Sequence, residues 1–388
     1  MPASPATTMS RVGGPSARSG CRSSTADRGT ERSLNAARLQ TAGLTPEAPS
    51  PDHRRVTRPA RGVPVFTFDG LHPQAQLFID MLRASPPPPY DQMALGEARA
   101  LFRDTMLRFR GPVQGGVAVN ALVLKGAAGD RPARIYRPDG CDGSPAPALL
   151  FLHGGGWVLG DLDTHDDICR RLAVGSGAVV ISLDYRLAPE HPFPAGFDDA
   201  VAAFRDLAGR VGALGLDPAR LAIGGDSAGG NLAAAAAIAL RDAGDAVQPV
   251  FQLLIYPATD LGTGEKREKK PGEGLFLTER LLRWFRACYI PDHTVSLEDP
   301  RLSPIHAQIL AGLPPAHILT ARFDPLQSEG EAYAAALKAA GVAADHHCAE
   351  GMFHGFLHMT AWFADARSAI DGLARRLAQG LAVATPGR

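Results

Sequence analysis

The chain has 388 residues, of which 45% are hydrophobic and 21% are charged, a composition typical of proteins that bury a sizeable core. Forty basic residues balance forty acidic ones, so the net charge gives no indication of a nucleic-acid partner. Five cysteines without paired spacing exclude a disulfide scaffold and a zinc ribbon, and the absence of any apolar run of about 18 residues predicts no membrane-spanning helix.

The first 62 residues differ in composition from the rest of the chain. They contain ten arginines, four acidic residues and no aromatic residue, whereas all 25 aromatic residues lie beyond Val65. Such a segment cannot bury enough apolar surface to offset the entropy lost on ordering, so we predict that residues 1–62 form a disordered tail. Its Arg-rich, acid-poor composition also fits an organelle targeting peptide, but we favour a dispensable tail on a cytoplasmic protein, with residues 63–388 forming the folded domain.

The first predicted elements of the folded domain are two helices and two strands. Apolar residues at helical spacing predict one helix that includes Leu77–Leu82 and another that includes Leu95–Met106. The run Pro86–Pro89 ends the first helix, because proline cannot continue it. Two short strands are predicted next, around Val117–Leu124 and Ala133–Tyr136.

Beyond these strands, apolar runs alternate with helical patterns. The predicted strands are Ala148–Leu152, Ala178–Leu183, Leu221–Ile223, Val250–Ile255, His317–Leu319 and Ala343–Cys348. The predicted helices are Asp167–Val174, Asp198–Leu207, Ala228–Leu240 and Glu329–Ala340. This alternation predicts an α/β fold with a mostly parallel sheet covered on both faces. Residues 261–304 interrupt the alternation, and we expect them to form an insertion over the sheet edge.

A Gly-x-Ser-x-Gly motif, Gly225–Gly229, lies between the predicted strand Leu221–Ile223 and an alanine-rich helix. In this strand–turn–helix context the motif is typical of a nucleophile elbow, with Ser227 exposed above the sheet and the helix N-terminus directed at developing negative charge. The motif alone is equally compatible with a glycine-rich turn in which a serine caps the helix.

The His-Gly-Gly-Gly-Trp sequence His153–Trp157 directly follows the predicted strand Ala148–Leu152. Three consecutive glycines carry a high entropic cost on folding, which indicates that they serve a function. Without Cβ atoms, their backbone N–H groups can face a ligand unobstructed. An oxyanion hole requires this geometry. A flexible loop or a nucleotide-phosphate turn is the alternative, but the chain lacks a Walker-type Gly-Lys-Ser and a complete dinucleotide fingerprint here.

A nucleophilic serine needs a base, and the base needs a carboxylate that orients it. Asp324 follows the predicted strand around His317–Leu319, and His354 lies 30 residues later in a Gly-flanked loop. These positions follow the chain order serine, acid, histidine of α/β hydrolases, and carboxylates at strand ends line the ligand crevice of open α/β sheets. We therefore predict Asp324 as the acid and His354 as the base.

Other residues of the same types are weaker candidates. His346 and His347 fall inside a predicted strand, where neighbouring side chains point to opposite faces, so they do not form a metal cluster with Cys348. His358 is expected to begin the last helix and to be an ordinary structural histidine. Glu329 is expected on the helix that follows Asp324, away from the strand end.

These motifs together resemble the hormone-sensitive-lipase-like family of α/β hydrolases, over roughly residues 71–374. The resemblance is carried by His153–Trp157, Asp184–Glu190, Gly225–Asn231, Asp324–Leu326 and His354–Phe356. It implies an α/β-hydrolase fold with a helical cap built from about residues 63–112 and 261–304. The charged run 265–270 and the tail lie outside this resemblance.

The resemblance also implies roles for individual residues. It assigns Ser227 as nucleophile, His354 as base and Asp324 as the partner of the base. The backbone N–H groups of Gly155, Gly156 and Ala228 are implied as the oxyanion hole. The remaining residues of the glycine motif, His153, Gly154 and Trp157, are implied to have supporting roles. Among them, His153 organises the loop.

The predicted function is a serine carboxylesterase that hydrolyses short- to medium-chain acyl esters without a metal or other cofactor. Its partner is a small-molecule ester, and a homodimer is possible. An amidase, peptidase or deacetylase of the same fold stays open, because one triad serves several acyl-transfer reactions. A non-catalytic ligand receptor is the alternative of a different class; receptors related to this family have lost the histidine that His354 supplies here.

The tail prediction can be tested by truncation. A chain that begins near Val63 retains every predicted strand, both cap segments and all five motifs. Because a solvated tail contributes almost no stability, we expect its melting temperature to match that of the full chain within about 2 °C and kcat/KM on a soluble ester to be unchanged. An insoluble truncated chain, or a tail that resists trypsin, would show that residues 1–62 dock on the domain.

Overall fold

The computed structural model describes residues 69–141, 145–262 and 275–382, so the predicted tail and the charged run lie outside the described residues. Within those ranges eight strands form one sheet. They are β1 (Val117–Gly126), β2 (Gly129–Pro138), β3 (Ala146–Leu152), β4 (Val179–Leu183), β5 (Leu216–Asp226), β6 (Phe251–Ile255), β7 (Ala316–Phe323) and β8 (Ala344–Phe353). Their order is β1-β2-β4-β3-β5-β6-β7-β8; β2 pairs antiparallel with β1 and β4, and the other pairs are parallel.

Helices connect and cover the strands. They are α1 (Pro73–Ala84), α2 (Leu95–Phe109), α3 (Asp166–Ser176), α4 (Ala195–Gly209), α5 (Ala228–Asp242), α6 (Glu279–Tyr289), α7 (Gln327–Ala339) and α8 (Ala364–Ala382). One buried cluster contains residues of α1, α3 and α8, and the other contains residues of α2, α4, α5, α6 and α7. The predicted α/β-hydrolase fold, with helices on both faces of a mostly parallel sheet, is confirmed. Among the described helices, none combines the length and apolar character needed to cross a bilayer.

The central strand β3 shows why apolar runs form this sheet. Every side chain from Ala148 to Leu152 is fully buried. Leu150 and Leu152 belong to one core cluster, whereas Leu149 and Phe151 belong to the other. Side chains alternate between the two faces of a strand, so a strand covered on both faces must be apolar at every position.

The strand register aligns the ends of the parallel strands. Leu152 at the end of β3 pairs with Gly225 in β5, and Asp226 at the end of β5 pairs with Ile255 in β6. Phe323 at the end of β7 likewise pairs with the last residue of β8. The residues that follow β3, β5, β7 and β8 therefore emerge at the same edge of the sheet, where open α/β sheets bind ligands.

The predicted first helix is present as α1. Its core-facing residues are Ala75, Phe78 and Ile79, whereas Leu77 is 67% exposed, because the helix packs on one stripe only. One sequence expectation needs correction. His358 does not begin the last helix: it ends the short 3₁₀ helix Phe356–His358, six residues before α8, and it is buried.

Phe78 anchors α1 to the sheet. Its ring lies 5.9 Å from that of Phe353 in a stacked arrangement and 4.9 Å from that of Phe109. We expect Phe78→Ala to lower the free energy of unfolding by about 3–5 kcal/mol, because it leaves a cavity in a fully packed cluster. The neighbouring exposed Leu77 supplies the control: Leu77→Ala should change stability by less than about 0.5 kcal/mol in urea denaturation. Equal losses in the two variants would contradict this packing.

Candidate active site

Ser227 occupies a strained turn between β5 and α5. Its backbone has φ 55° and ψ −118°, a conformation that is costly for a residue with a side chain. Its N–H donates to the carbonyl of Ile255 at 2.8 Å, which holds the turn against β6. A Cβ atom on Gly225 or Gly229 would lie 2.2 or 1.9 Å from the carbonyl oxygen of Leu152. The small residues that flank the serine therefore let strand and helix approach closely, as the motif predicts.

A continuous hydrogen-bond chain joins the three predicted triad residues. His354 Nε2 lies 2.9 Å from Ser227 Oγ, and His354 Nδ1 lies 2.6 Å from Asp324 Oδ2. The other oxygen of Asp324 accepts from the N–H of Leu326 at 2.8 Å. A carboxylate only accepts, so Nδ1 carries the hydrogen and Nε2 is left to accept from the serine hydroxyl. The arrangement can deprotonate a serine as it attacks a carbonyl carbon.

The two later glycines of the His153–Trp157 motif have positive φ angles, 115° for Gly155 and 62° for Gly156. A Cβ atom on Gly155 would lie 2.2 Å from the carbonyl oxygen of Leu159, and one on Gly156 would lie 2.2 Å from the ring of Phe285. Both the backbone conformation and the lack of space therefore require glycine at these positions.

Held carbonyl groups set the direction of the loop's N–H groups. His153 Nδ1 donates to the carbonyl of Gly154 at 2.8 Å, and the N–H of Leu159 donates to the carbonyl of Gly155 at 2.8 Å. In a planar trans peptide the N–H points away from the C=O, so these bonds direct the N–H groups of Gly155 and Gly156 to the opposite side. Burial, and secondarily the charge of His165, lowers the pKa of His153, which keeps this ring neutral.

Two further features complete the loop. Ala228 is the first residue of α5, so its N–H has no acceptor within the helix and is available to a ligand. The ring of Trp157 stacks on that of Tyr289 with a centroid distance of 4.6 Å and an interplanar angle of 1°. This contact joins the glycine loop to the end of α6.

A cavity of about 340 Å³ opens onto these groups. Ser227, His354, Gly155 and Gly156 line its base. Apolar side chains from α1, α2 and residues 275–285 form much of its wall, among them Ile79, Leu82, Phe102, Leu275, Leu281 and Phe285. The site can therefore take a substrate with an apolar group beside its reacting carbon.

A second polar cluster lies next to the serine, and sequence reasoning missed it. His165 Nε2 lies 3.0 Å from Asp226 Oδ1, and His358 Nε2 lies 3.7 Å from Asp226 Oδ2. All three side chains are buried, and their ligand atoms lie within 4.8 Å of one another, a spacing that could also suit a metal ion. One sequence feature could have indicated this cluster. Asp226 lies between a buried strand and the serine, and a charged side chain buried at such a position needs polar partners.

Opposing effects act on the carboxyl group of Asp226. Burial alone would raise its pKa, but the charge and hydrogen bond of His165, followed by those of His358, hold the pKa well below its usual range. The group is therefore an ionised carboxylate inside the protein, held between two imidazole rings.

The weaker candidates for the base and the acid lie elsewhere. His346 is in β8 and its Nε2 lies 2.9 Å from Thr320 Oγ1. Glu329 is in the first turn of α7 and accepts from the N–H of Asp260 at 2.7 Å. His358 is the exception, because it lines the catalytic cavity instead of being an ordinary histidine of the last helix.

Comparison with known proteins agrees with this geometry. A family model described as alpha/beta hydrolase fold matches residues 149–358. The carboxylic ester hydrolase LipN of Mycobacterium tuberculosis is 43% identical over 327 residues, which cover 81% of this chain and 84% of the relative. The ethyl acetate hydrolase of Pseudomonas putida is 37% identical over 295 residues, which cover 76% of this chain and 92% of the relative.

Solved structures lead to the same group of proteins. An ester hydrolase from the metagenome of Lake Arreo, complexed with a bipyridine phosphonate derivative, has a TM-score of 0.76 at 39% identity and covers 81% of this chain and 100% of its own. An esterase of Pyrobaculum calidifontis has a TM-score of 0.72 at 39% identity, and the match covers 81% of this chain and 100% of the esterase. All four of these relatives are named as hydrolases of esters.

Proposed function

We propose that this chain, which belongs to the α/β-hydrolase family and hydrolyses carboxylic esters, acts on short- to medium-chain acyl esters through a covalent intermediate on Ser227. The resemblance drawn from the sequence motifs is thereby confirmed for family and enzyme class. One observation carries the finer proposal: the hydrogen-bond chain from Asp324 through His354 to Ser227 ends in an apolar cavity beside the glycine loop.

In the first half of the reaction, Ser227 Oγ attacks the ester carbonyl while His354 Nε2 accepts the hydroxyl proton. Asp324 orients the imidazole and stabilises its positive charge. Backbone N–H groups of Gly155, Gly156 and Ala228 donate to the oxyanion as it develops. Collapse of the tetrahedral intermediate breaks the bond to the leaving oxygen, which takes its proton from His354.

In the second half, a water molecule replaces the alcohol. His354 accepts a proton from the water as its oxygen attacks the acyl carbon, and it returns that proton to Ser227 Oγ when the acid leaves. These proton transfers involve one imidazole and no added cofactor. The N–H donors serve both halves, because the charge appears on the same carbonyl oxygen each time.

The proposal predicts that Ser227→Ala removes turnover and leaves the fold intact. Losing the nucleophile of such a triad costs on the order of 10⁶ in kcat in a serine protease, and we expect a loss of several orders of magnitude on p-nitrophenyl butyrate. An organophosphate should label the native protein at Ser227 in a 1:1 ratio. An active alanine variant, or a label on another serine, would contradict the assignment.

A pair of histidine variants supplies the matched control. His354→Ala should lose turnover to a similar extent, whereas His346→Ala, near the start of β8, should retain most of it. Circular dichroism and melting temperature show whether each variant is folded. Loss of activity in the His346 variant alone would place the base elsewhere.

The cavity predicts a bounded preference for acyl length. Each methylene group that enters the cavity contributes up to about 0.8 kcal/mol, so kcat/KM on p-nitrophenyl esters should rise and then fall within short to medium chains. Leu281 lines the cavity and its neighbour Leu282 does not, although both lie on α6. We expect Leu281→Ala to move the maximum to longer chains and Leu282→Ala to leave it in place. Maximal activity on long-chain triglyceride emulsions would contradict the proposal.

A further inference from the structure

We propose that Asp226 is a positioning residue for the oxyanion-binding loop, and that His165 and His358 hold its carboxylate for this purpose. The inference rests on the proposed function, since it assigns the Gly155 and Gly156 N–H groups to the oxyanion. It concerns a residue that does not belong to the triad, although it lies directly before the nucleophile in the chain.

The contact between Asp226 and Gly154 is the first argument. The N–H of Gly154 donates to Asp226 Oδ1 at 2.8 Å, and a Cβ atom on Gly154 would lie 2.5 Å from Asp226 Oδ2. Gly154 has no positive φ angle, unlike the two glycines that follow it, so backbone conformation does not explain the residue type. Close approach of the Asp226 carboxylate explains why this residue is glycine, because any side chain on residue 154 would displace the carboxylate.

The second argument is how this contact affects the next two peptide groups. The N–H of the peptide between His153 and Gly154 faces Asp226 Oδ1 at 2.8 Å and His165 Nε2 at 3.2 Å. The hydroxyl of Tyr185 donates to the carbonyl oxygen of the same peptide at 2.7 Å. Both ends of this planar group are therefore held. The following peptide, whose N–H belongs to Gly155, continues from that plane. If the peptide plane between His153 and Gly154 rotates, the N–H groups of Gly155 and Gly156 turn away from the position of the oxyanion.

The third argument concerns charge. A carboxylate near a developing oxyanion repels it unless its own charge is offset. Asp226 is 2% exposed, so water does not screen it, and the imidazole rings of His165 and His358 are the polar groups that face its two oxygens. His165 is itself oriented, because its Nδ1 lies 2.8 Å from Thr164 Oγ1. The two histidines thus let the carboxylate hold the loop without opposing the reaction.

The test compares two ligands in the full-length protein. An alkyl trifluoromethyl ketone adds to the serine and forms an oxyanion, whereas the matching secondary alcohol fills the cavity without forming one. For Asp226→Ala, which removes both acceptor oxygens from the Gly154 N–H, we expect kcat and the affinity for the ketone both to fall about 100-fold, the effect of losing one oxyanion donor. KM and the affinity for the alcohol should stay within about twofold of the native values, because the cavity is unchanged.

His165 provides a conservative and a non-conservative variant. Glutamine can place an amide N–H where the ring has Nε2, so His165→Gln should keep most of the affinity for the ketone, and His165→Leu should lose it. This pair decides the question if Asp226→Ala does not fold. Asp199→Ala is the control for removing a buried carboxylate: Asp199 is fully buried and pairs with Arg186, and its variant should bind both ligands as the native protein does.

Several results would overturn the inference. These are native ketone affinity in Asp226→Ala, an equal loss of affinity for ketone and alcohol, or equal loss of ketone affinity in the two His165 variants. Loss of activity with a chelator and its recovery with Zn²⁺ would also overturn it, because the cluster would then be a metal site. If the native protein neither hydrolyses esters nor binds the ketone, the proposed function itself fails, which is a distinguishable outcome.

Discussion

Parallel pairing of the consecutive neighbours β3, β5, β6, β7 and β8 is the constraint on which the site depends. Backbone hydrogen bonds set the register, so the glycine loop, Ser227, Asp324 and His354 emerge at one edge although up to 201 positions separate them in the chain. A register slip between β7 and β8 would separate Asp324 from His354. Burial of β7 makes such a slip costly, and side-chain contacts of His317 with Asp345 and of Thr320 with His346 also join the two strands.

Strain at the nucleophile follows from the same alignment. Ser227 lies in an unfavourable backbone region, and the surrounding contacts must hold it there. Its N–H is bonded to β6, while the glycines on either side pack against the end of β3. The same strand ends therefore position the nucleophile and carry the oxyanion loop, so the distance between the two is set by the sheet.

The sequence was sufficient to predict the fold, because apolar runs identified the strands. Local motifs also singled out Ser227, Asp324 and His354, which the structure brings into hydrogen-bond contact. The Asp226 cluster had no such signal: His165 and His358 are 193 positions apart, and each has an ordinary local context. Their meeting depends on the packing of the 3₁₀ helix Phe356–His358 against α3, which tertiary structure alone determines.

The cavity wall and the oxyanion loop are not independent. Phe285 of α6 packs against Gly156, Tyr289 stacks on Trp157, and Phe276 lies against Gly355 beside the catalytic histidine. Phe276 and Phe285, which line the cavity, thus also lie against the loops that carry His354 and the motif glycines. Close-packed groups respond to a change in volume by shifting their neighbours, so a substitution at Phe285 alters the support of Gly156 together with the width of the cavity. Under the proposed function, such a substitution acts on the accepted acyl length and on the support of the oxyanion loop together.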